Sequence, residues 1–296
     1  VSQAPHASRL RVGLDVSAVP ALPAGAGHYT LALAAALDAR ADVDLTLVCR
    51  RGDDGRWALL TPGAAIVAQA PQPRPLRLAW EQTVLPLLLR RLPIDVWHSP
   101  HYTMPETSHL PRVVTVHDLT FFDHPEWHEK SKVPVFRRAI KVAGRRADAI
   151  ICVSQHTADR LQQRVRPRAP VSVVLHGVDH QRFRPDEPAD GPPDAEVLGR
   201  LGIRSPFVAF IGTIEPRKAV DGLVQAFDRI ASAHPEVALV LAGGDGWGVT
   251  AVEAAIASAR HADRIIRTGY VADSAVPALL RRAAAVAYPA AEEGFG

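Results

Sequence analysis

Continuously apolar, β-branched runs alternate with helical patterns along nearly the whole chain, and few architectures accommodate that. LRVGLDV (residues 10–16), VDLTLVC (43–49), IDVWHS (94–99), RVVTVHD (112–118), AIICVS (149–154) and VSVVLH (171–176) read as strands. Most lack the in–out alternation of a strand with one wet face, so they fit parallel strands covered on both sides. Helical patterns at 27–39, 76–91, 131–146 and 155–165 separate them. Strand–helix alternation of this kind predicts a doubly wound α/β sheet.

The texture breaks near residue 185. RPDEPADGPPDAE is rich in proline and acid, has no periodicity, and reads as an exposed linker. The pattern then restarts with strands at 207–213, 237–243, 264–269 and 284–289 and helices at 218–232, 249–260 and 274–283. In the first of these helices Val220, Leu223, Val224, Phe227, Ile230 and Ala231 recur at three- and four-residue steps, an amphipathic stripe. The expected organisation is a first domain over 1–185, a linker over 186–204 and a second domain over 205–296. The fourth strand of the second domain runs into a glycine turn with no crossover helix after it, so the reading expects that domain to be cut short.

Composition narrows the class. Hydrophobic residues make up 47% and charged residues 22% of 296, as in a globular protein with a sizeable core. The two cysteines, Cys49 and Cys152, end apolar runs and read as buried thiols of a reducing compartment. The first nine residues carry no apolar signal-peptide core, and no apolar run approaches the length of a membrane span. A soluble, cytoplasmic protein is expected. Between Lys130 and Arg168, eleven Lys or Arg face two acids, Asp148 and Asp159. Such a segment suits an anionic membrane or a nucleic acid, and the absence of aromatics between Arg137 and Arg168 argues against the nucleic acid. On the helix 131–146, Arg137, Lys141 and Arg145 fall at four-residue spacing, which suits peripheral docking on an anionic leaflet or, equally, a solvated face.

Open parallel sheets bind ligands beyond the carboxyl ends of their strands, and the informative residues lie there. GTIEPRKA (212–219) places Arg217 and Lys218 at a helix start, where backbone N–H groups already favour an anion, so a diphosphate site is expected. The alternative, a plain basic pair, requires a compensating anion because cations oppose the helix dipole there. AGGDGWG (242–248) offers glycines that allow close backbone approach to a ligand, or simply a tight loop. AEEGFG puts a carboxylate at a strand tip, suited to accepting hydrogen bonds from sugar hydroxyls. In the first half, VTVHDLTF sets His117 at a strand end and PAGAGHYT sets Gly25 and Gly27 in a loop entering a helix. HSPH and HPEWH suggest a metal, but their prolines disfavour helical presentation and no cysteine accompanies them, so no metal site is assigned.

Taken in order, GAGHYT, HSPHYTMP, VHDLTFFDHPEWH, VSQHTADRL, LHGVDHQRFRP, FIGTIEPRK, LVLAGGDGWG, GYVADSAVPALLRRA and YPAAEEGFG resemble glycosyltransferase family 4, the retaining group with the GT-B fold of two Rossmann-like domains. The likeness is to a subgroup of O-antigen and polysaccharide mannosyltransferases. It implies that Lys218 binds the donor diphosphate, with Arg217 in place of the family's usual arginine, whose position is Thr213, and Ala219 where asparagine is usual. It implies that Glu293 opens the family's Glu-x7-Glu motif and contacts the transferred sugar, the second Glu lying past the last residue. His117 matches a histidine near the reacting carbon, and Gly27 a loop facing the donor. Gly25, Gly212, Thr213, Gly243, Gly244, Gly294, Phe295 and Gly296 complete the expected donor contacts. The implied reaction moves a hexose, mannose by subgroup likeness, from a GDP- or UDP-linked donor to a lipid-linked or saccharide acceptor hydroxyl. It proceeds with retention by front-face attack and without a metal or other cofactor. The chain as given is expected to have little activity. A nucleotide-sugar epimerase of the same fold and a non-catalytic nucleotide-sugar binder are the other readings.

Overall fold

The computed structural model describes residues 9–204 and 206–295. The chain divides into two compact units, the first made up mainly of residues up to His176 and the second mainly of residues from Gly177 onward.

The first unit is built on a seven-stranded, all-parallel sheet of strands β1 (Leu10–Asp15), β2 (Val43–Arg50), β3 (Ala65–Ala70), β4 (Val96–Ser99), β5 (Arg112–Val116), β6 (Ala149–Cys152) and β7 (Val171–Val173). Their spatial order is β3-β2-β1-β4-β5-β6-β7. The chain winds outward in both directions from the β1–β4 pair, so the topological switch of the sheet lies there. Leu14, Leu45 and Leu47 pack with Trp57 on one part of the sheet, and Val114, Val116 and Ile150 pack with Ile140 and Leu161 on another. Burial on both faces is why these strands read as unbroken apolar runs. Strand β3, AIVAQA, escapes the sequence reading because alanine has weak strand preference. Pairing with β2, from Thr46 opposite Ala65 onward, makes it a strand.

The second unit holds a four-stranded parallel sheet of β8 (Phe207–Ile211), β9 (Ala238–Ala242), β10 (Ile265–Gly269) and β11 (Ala285–Val286) in the order β10-β9-β8-β11. Its switch point falls between β8 and β11. The helix Val220–Ile230 buries Val220, Val224 and Phe227 against Phe210, Leu239 and Leu241. Ala231, just past the helix end, joins that core, whereas Ile230, expected on the same stripe, falls on its flank and is 50% exposed.

Part of the expected linker is structured. Asp194–Arg200 forms a helix. The Asp194 carboxylate accepts hydrogen bonds from Arg281 Nε (2.9 Å) and Nη2 (2.7 Å), and Leu198 and Ile203 join the core around Phe207 and Leu279. Proline and acidic composition hid it, since a seven-residue helix gains its stability from such partners and not from its own propensity. The second unit also takes in residues from Gly177, ahead of the expected boundary. There Arg182 Nη2 donates to the Asp273 carbonyl at 2.5 Å.

The basic segment is corrected in detail. Helix Lys132–Arg146 buries Val133, Ile140 and Ala143, but Arg137 does not share an outward face with Lys141 and Arg145. Its Nε donates to Phe121 O (2.8 Å), its Nη2 to Phe122 O (3.1 Å), and its guanidinium lies over the Phe122 ring. Arg138 and Arg146 pair with Glu106, and Arg160 and Arg164 pair with Asp123. Both cysteines are free and buried, which pushes the thiol of Cys49 up to about 11 and that of Cys152 up to about 12. No helix among the described residues is long and apolar enough to cross a membrane.

Candidate functional site

In the second unit the loop after β8 is shaped by three local features. Pro216–Lys218 forms a 3-10 turn in which Lys218 N–H donates to Glu215 O at 3.0 Å. Ala219 follows in the left-handed region (φ 49°, ψ 38°) and turns the chain into the helix Val220–Ile230. The loop is also zipped to the one after β9, because parallel pairing continues beyond the strands. Gly212 N–H donates to Ala242 O (2.9 Å), Ile214 N–H to Gly244 O (3.0 Å) and Gly246 N–H to Ile214 O (2.9 Å).

That zipper explains one glycine. A Cβ on Gly243 would stand 1.9 Å from Gly212 O, so the close backbone approach that the sequence anticipates for a ligand is here an approach of the neighbouring loop. Thr213, partly buried, lies in the same zipped pair of loops.

The loop after β11 returns to this point because β11 pairs directly with β8. Ala291 N–H donates to Arg217 O at 2.9 Å, and the Tyr288 ring stacks on Phe210 (centroids 5.9 Å apart, 12° between planes). Tyr288 thereby lies under Lys218, whose Nζ is 4.5 Å from the ring centroid and donates to the phenol oxygen. Glu293 meets both cations. Lys218 Nζ donates to Oε1, Arg217 Nη1 pairs with Oε2 at 2.6 Å, and the Tyr288 hydroxyl donates to Oε1 at 3.2 Å. A second carboxylate, Glu215, holds Arg217 Nε at 2.7 Å. Burial alone raises the Glu293 carboxyl, but the Lys218 hydrogen bond and the charges of Arg217 and Lys218 outweigh it and hold the group below the ordinary carboxylate value.

Arg217, Lys218 and Glu293, 75 residues apart at the Lys218–Glu293 contact, are therefore brought into one cluster at the switch point of the sheet. Its two cations face two carboxylates. The compensating anion that a plain basic pair requires at this helix start is present, and it is supplied from the same chain. Gly212 leads out of β8, Gly244 accepts from Ile214 across the zipped loops, and Gly294 is buried beside Glu293. Phe295 is 47% exposed. Gly296 lies outside the described residues. Sequence reasoning missed Tyr288 and Glu215. Both sit inside the quoted motifs, and the only signal was a polar or aromatic residue at a strand tip.

His117, Gly25 and Gly27 belong to the first unit. Gly25 opens the helix Gly25–Asp38, and Gly27 is buried in its first turn, where a Cβ would come within 3.0 Å of Pro23 Cβ. Both are thus in the helix and not in the loop before it. His117 follows β5 and donates from Nε2 to Pro100 O at 2.8 Å, which fixes the proton on Nε2 and leaves Nδ1 as the acceptor nitrogen. Burial lowers its pKa, the Pro100 bond partly opposes this, and the nearby His176 lowers it further, so the ring is neutral. The Tyr29 ring packs edge-on at 5.0 Å.

Beneath it lies a buried polar layer that the sequence did not disclose. His98 Nε2 and the Tyr29 hydroxyl both bond Thr115 Oγ1, at 2.8 and 3.2 Å. Burial pushes His98 down to about 4 and His101 to about 3. At the β1–β4 switch, Asp15 accepts from Ser17 Oγ (2.6 Å), and Glu81 accepts from Thr103 Oγ1 (2.8 Å) and Gln82 Nε2 (2.9 Å). Burial, then the Asp15 charge, raises Glu81 to about 7. Among the described residues no three His, Cys, Asp or Glu side chains converge as a metal site.

Comparison with known proteins places these features in context. Residues 23–182 match the profile of Glycosyltransferase Family 4, and residues 200–296 that of Glycosyl transferases group 1. The O-antigen chain mannosyltransferase B of Escherichia coli is 28% identical over 225 residues, covering 75% of this chain and 56% of that protein. A GDP-mannose-dependent alpha-(1-6)-phosphatidylinositol monomannoside mannosyltransferase of Mycobacterium tuberculosis is 33% identical over 166 residues, covering 56% of this chain and 42% of that protein. The chain spans about half the length of these curated relatives. Among solved structures, Anabaena HepE in complex with UDP and glucose superposes with a TM-score of 0.69 at 19% identity, over 97% of this chain and 76% of that one, a likeness of fold.

Proposed function

The chain belongs to glycosyltransferase family 4, and from that premise we propose that the protein transfers a hexose from a nucleoside diphosphate sugar to an acceptor hydroxyl, with retention at the transferred carbon. Mannose is the proposed sugar and a cell-surface polysaccharide or glycolipid the proposed product, following the two mannosyltransferase relatives. The observation that carries the reading is the convergence of Arg217, Lys218 and Glu293 at the carboxyl ends of β8 and β11.

In this reading the donor diphosphate takes the place of the Glu293 carboxylate on the two cations. Arg217 and Lys218 then stabilise the negative charge that grows on the leaving diphosphate as the glycosidic bond breaks, a preorganised electrostatic role that the helix start at Val220 reinforces. Glu293, released, accepts hydrogen bonds from hydroxyls of the transferred sugar. No carboxylate is assigned as nucleophile. The acceptor oxygen attacks from the face the leaving group vacates, and the leaving diphosphate takes the acceptor's proton.

Calorimetric titration with GDP and UDP, followed by turnover of the corresponding nucleotide sugars with lipid-linked and saccharide acceptors, tests the proposal. Lys218→Ala and Arg217→Ala should each weaken nucleoside diphosphate binding by about tenfold or more, since each removes a charge-assisted contact. Unchanged affinity in both variants removes the diphosphate assignment. An epimerised sugar with no acceptor-linked product replaces transfer by epimerisation.

A further inference from the structure

Thr115 lies in β5 between Val114 and Val116, and all three are fully buried. A valine at 115 would fill the same space with no hydroxyl to desolvate. The hydroxyl that stands there is shared by side chains of two other elements. His98 Nε2 reaches Thr115 Oγ1 at 2.8 Å from β4, and the Tyr29 hydroxyl reaches it at 3.2 Å from the helix Gly25–Asp38. Thr115 has one proton and two lone pairs to divide between them, so the two bonds polarise one another and act together. Both partners are neutral, because burial pushes His98 down to about 4 and raises the Tyr29 phenol.

Apolar residues of the same shape in place of these three would cost the first unit little stability. What the hydrogen-bonded network adds is one fixed arrangement, and the side chain it fixes next to a ligand-facing position is Tyr29. The Tyr29 ring stands edge-on to His117, with centroids 5.0 Å apart and 79° between planes. Three other rings surround His117 at greater distance: Tyr102 and His176 at 6.1 Å and His101 at 6.2 Å. His117 itself follows β5 at the carboxyl ends of the parallel sheet, where ligands of such sheets bind. Its Nε2 bond to Pro100 O fixes the tautomer but leaves the ring able to pivot about that bond. The nearest wall against the pivot is the Tyr29 edge. We propose that Thr115 is a positioning residue. By tying the Tyr29 hydroxyl to His98 it sets the plane of the His117 ring, and with it the direction of Nδ1, while touching no substrate itself. The inference deepens the transfer reading and rests on His117 taking part in that reaction, although the ring arrangement is a property of the first unit alone.

Thr115→Val, which keeps the shape and removes the hydroxyl, and Thr115→Ser, which restores it, test the proposal in the full chain. With isotope-labelled histidine, the His117 ring resonances are assigned by their loss in His117→Gln. Thr115→Val is expected to shift them, because the Tyr29 ring moves relative to His117, and Thr115→Ser to return them to the parent positions. Tyr29→Phe should shift them as well, and Thr115→Val/Tyr29→Phe should do no more than either change alone, since both break the same bond. In turnover of GDP-mannose with a saccharide acceptor, Thr115→Val should lower kcat by at least about tenfold, with unchanged nucleoside diphosphate affinity, and Thr115→Ser should recover most of it. A threonine that only stabilises the fold would lower Tm and leave both kcat and the His117 resonances of the folded protein at parent values. That result overturns the inference, as do additive effects in the double variant. Should Thr115→Val fold poorly, Tyr29→Phe, which leaves Thr115 bonded to His98, carries the same comparison. A parent chain that turns over no nucleotide sugar fails the transfer reading separately, and the His117 resonances then decide whether Thr115 sets the ring.

Discussion

Replacing Glu293 by glutamine isolates the consequence of a carboxylate seated on two cations proposed to hold a diphosphate. The amide keeps the shape of the side chain and removes its charge. In the structure that charge is shared between Arg217 and Lys218, and the three side chains are 19%, 18% and 8% exposed, so solvent screens the contacts only partly. At roughly 4 Å between charge centres and an effective dielectric near 20, each pair is worth about 4 kcal/mol before desolvation is subtracted. Net values for charged hydrogen bonds are about 1.5–3 kcal/mol. A diphosphate must break both contacts to reach the cations, while Glu293 regains hydration and new partners that offset part of that loss. The competition therefore amounts to roughly 1.5–3 kcal/mol, or ten- to a hundredfold in affinity. Glu293→Gln should bind GDP or UDP that much more tightly than the parent while losing transfer. Titration calorimetry reads the first effect and product formation the second. An unchanged dissociation constant would refute the reasoning, because it would mean that the carboxylate leaves its cations at no cost. Stability carries the same signature with a definite sign. The folded-state pKa of Glu293 lies below its ordinary value, so its contribution is present above about pH 4.3 and fades as pH falls through the lowered folded value. The parent should be the more stable protein near neutrality, and the difference in Tm from Glu293→Gln should close on acidification below about pH 4.

Two further substitutions test the backbone of the same site. Ala219 occupies the left-handed region without a glycine's freedom, so Ala219→Gly should stabilise the second unit by about 1 kcal/mol, read as a rise in Tm. Gly243→Ala should destabilise by more than about 3 kcal/mol, because its Cβ cannot coexist with Gly212 O. Gly222→Ala, in open space on the neighbouring helix, should instead gain about 0.5–1 kcal/mol, and equal effects at the two glycines would refute the zipper.

Much of this protein is local information. Unbroken apolar strands separated by amphipathic helices dictated parallel sheets covered on both faces, and glycines, cations and acids after those strands marked where a ligand belongs, because a parallel sheet presents its carboxyl ends together. Local patterns also marked Lys218, Arg217 and Glu293 as residues of interest. They did not reveal that Glu293 sits on both cations with Tyr288 beneath Lys218, since that depends on β11 pairing with β8 across most of the second unit. Nor did they reveal that Arg137 turns inward to two carbonyls while Lys141 and Arg145 stay outside, because helical spacing defines a face without saying what lies against it. Strand β3 and the helix Asp194–Arg200 were illegible for the same reason. Their own residues favour neither structure, and partners distant in sequence, β2 for one and Arg281 for the other, supply the free energy that orders them.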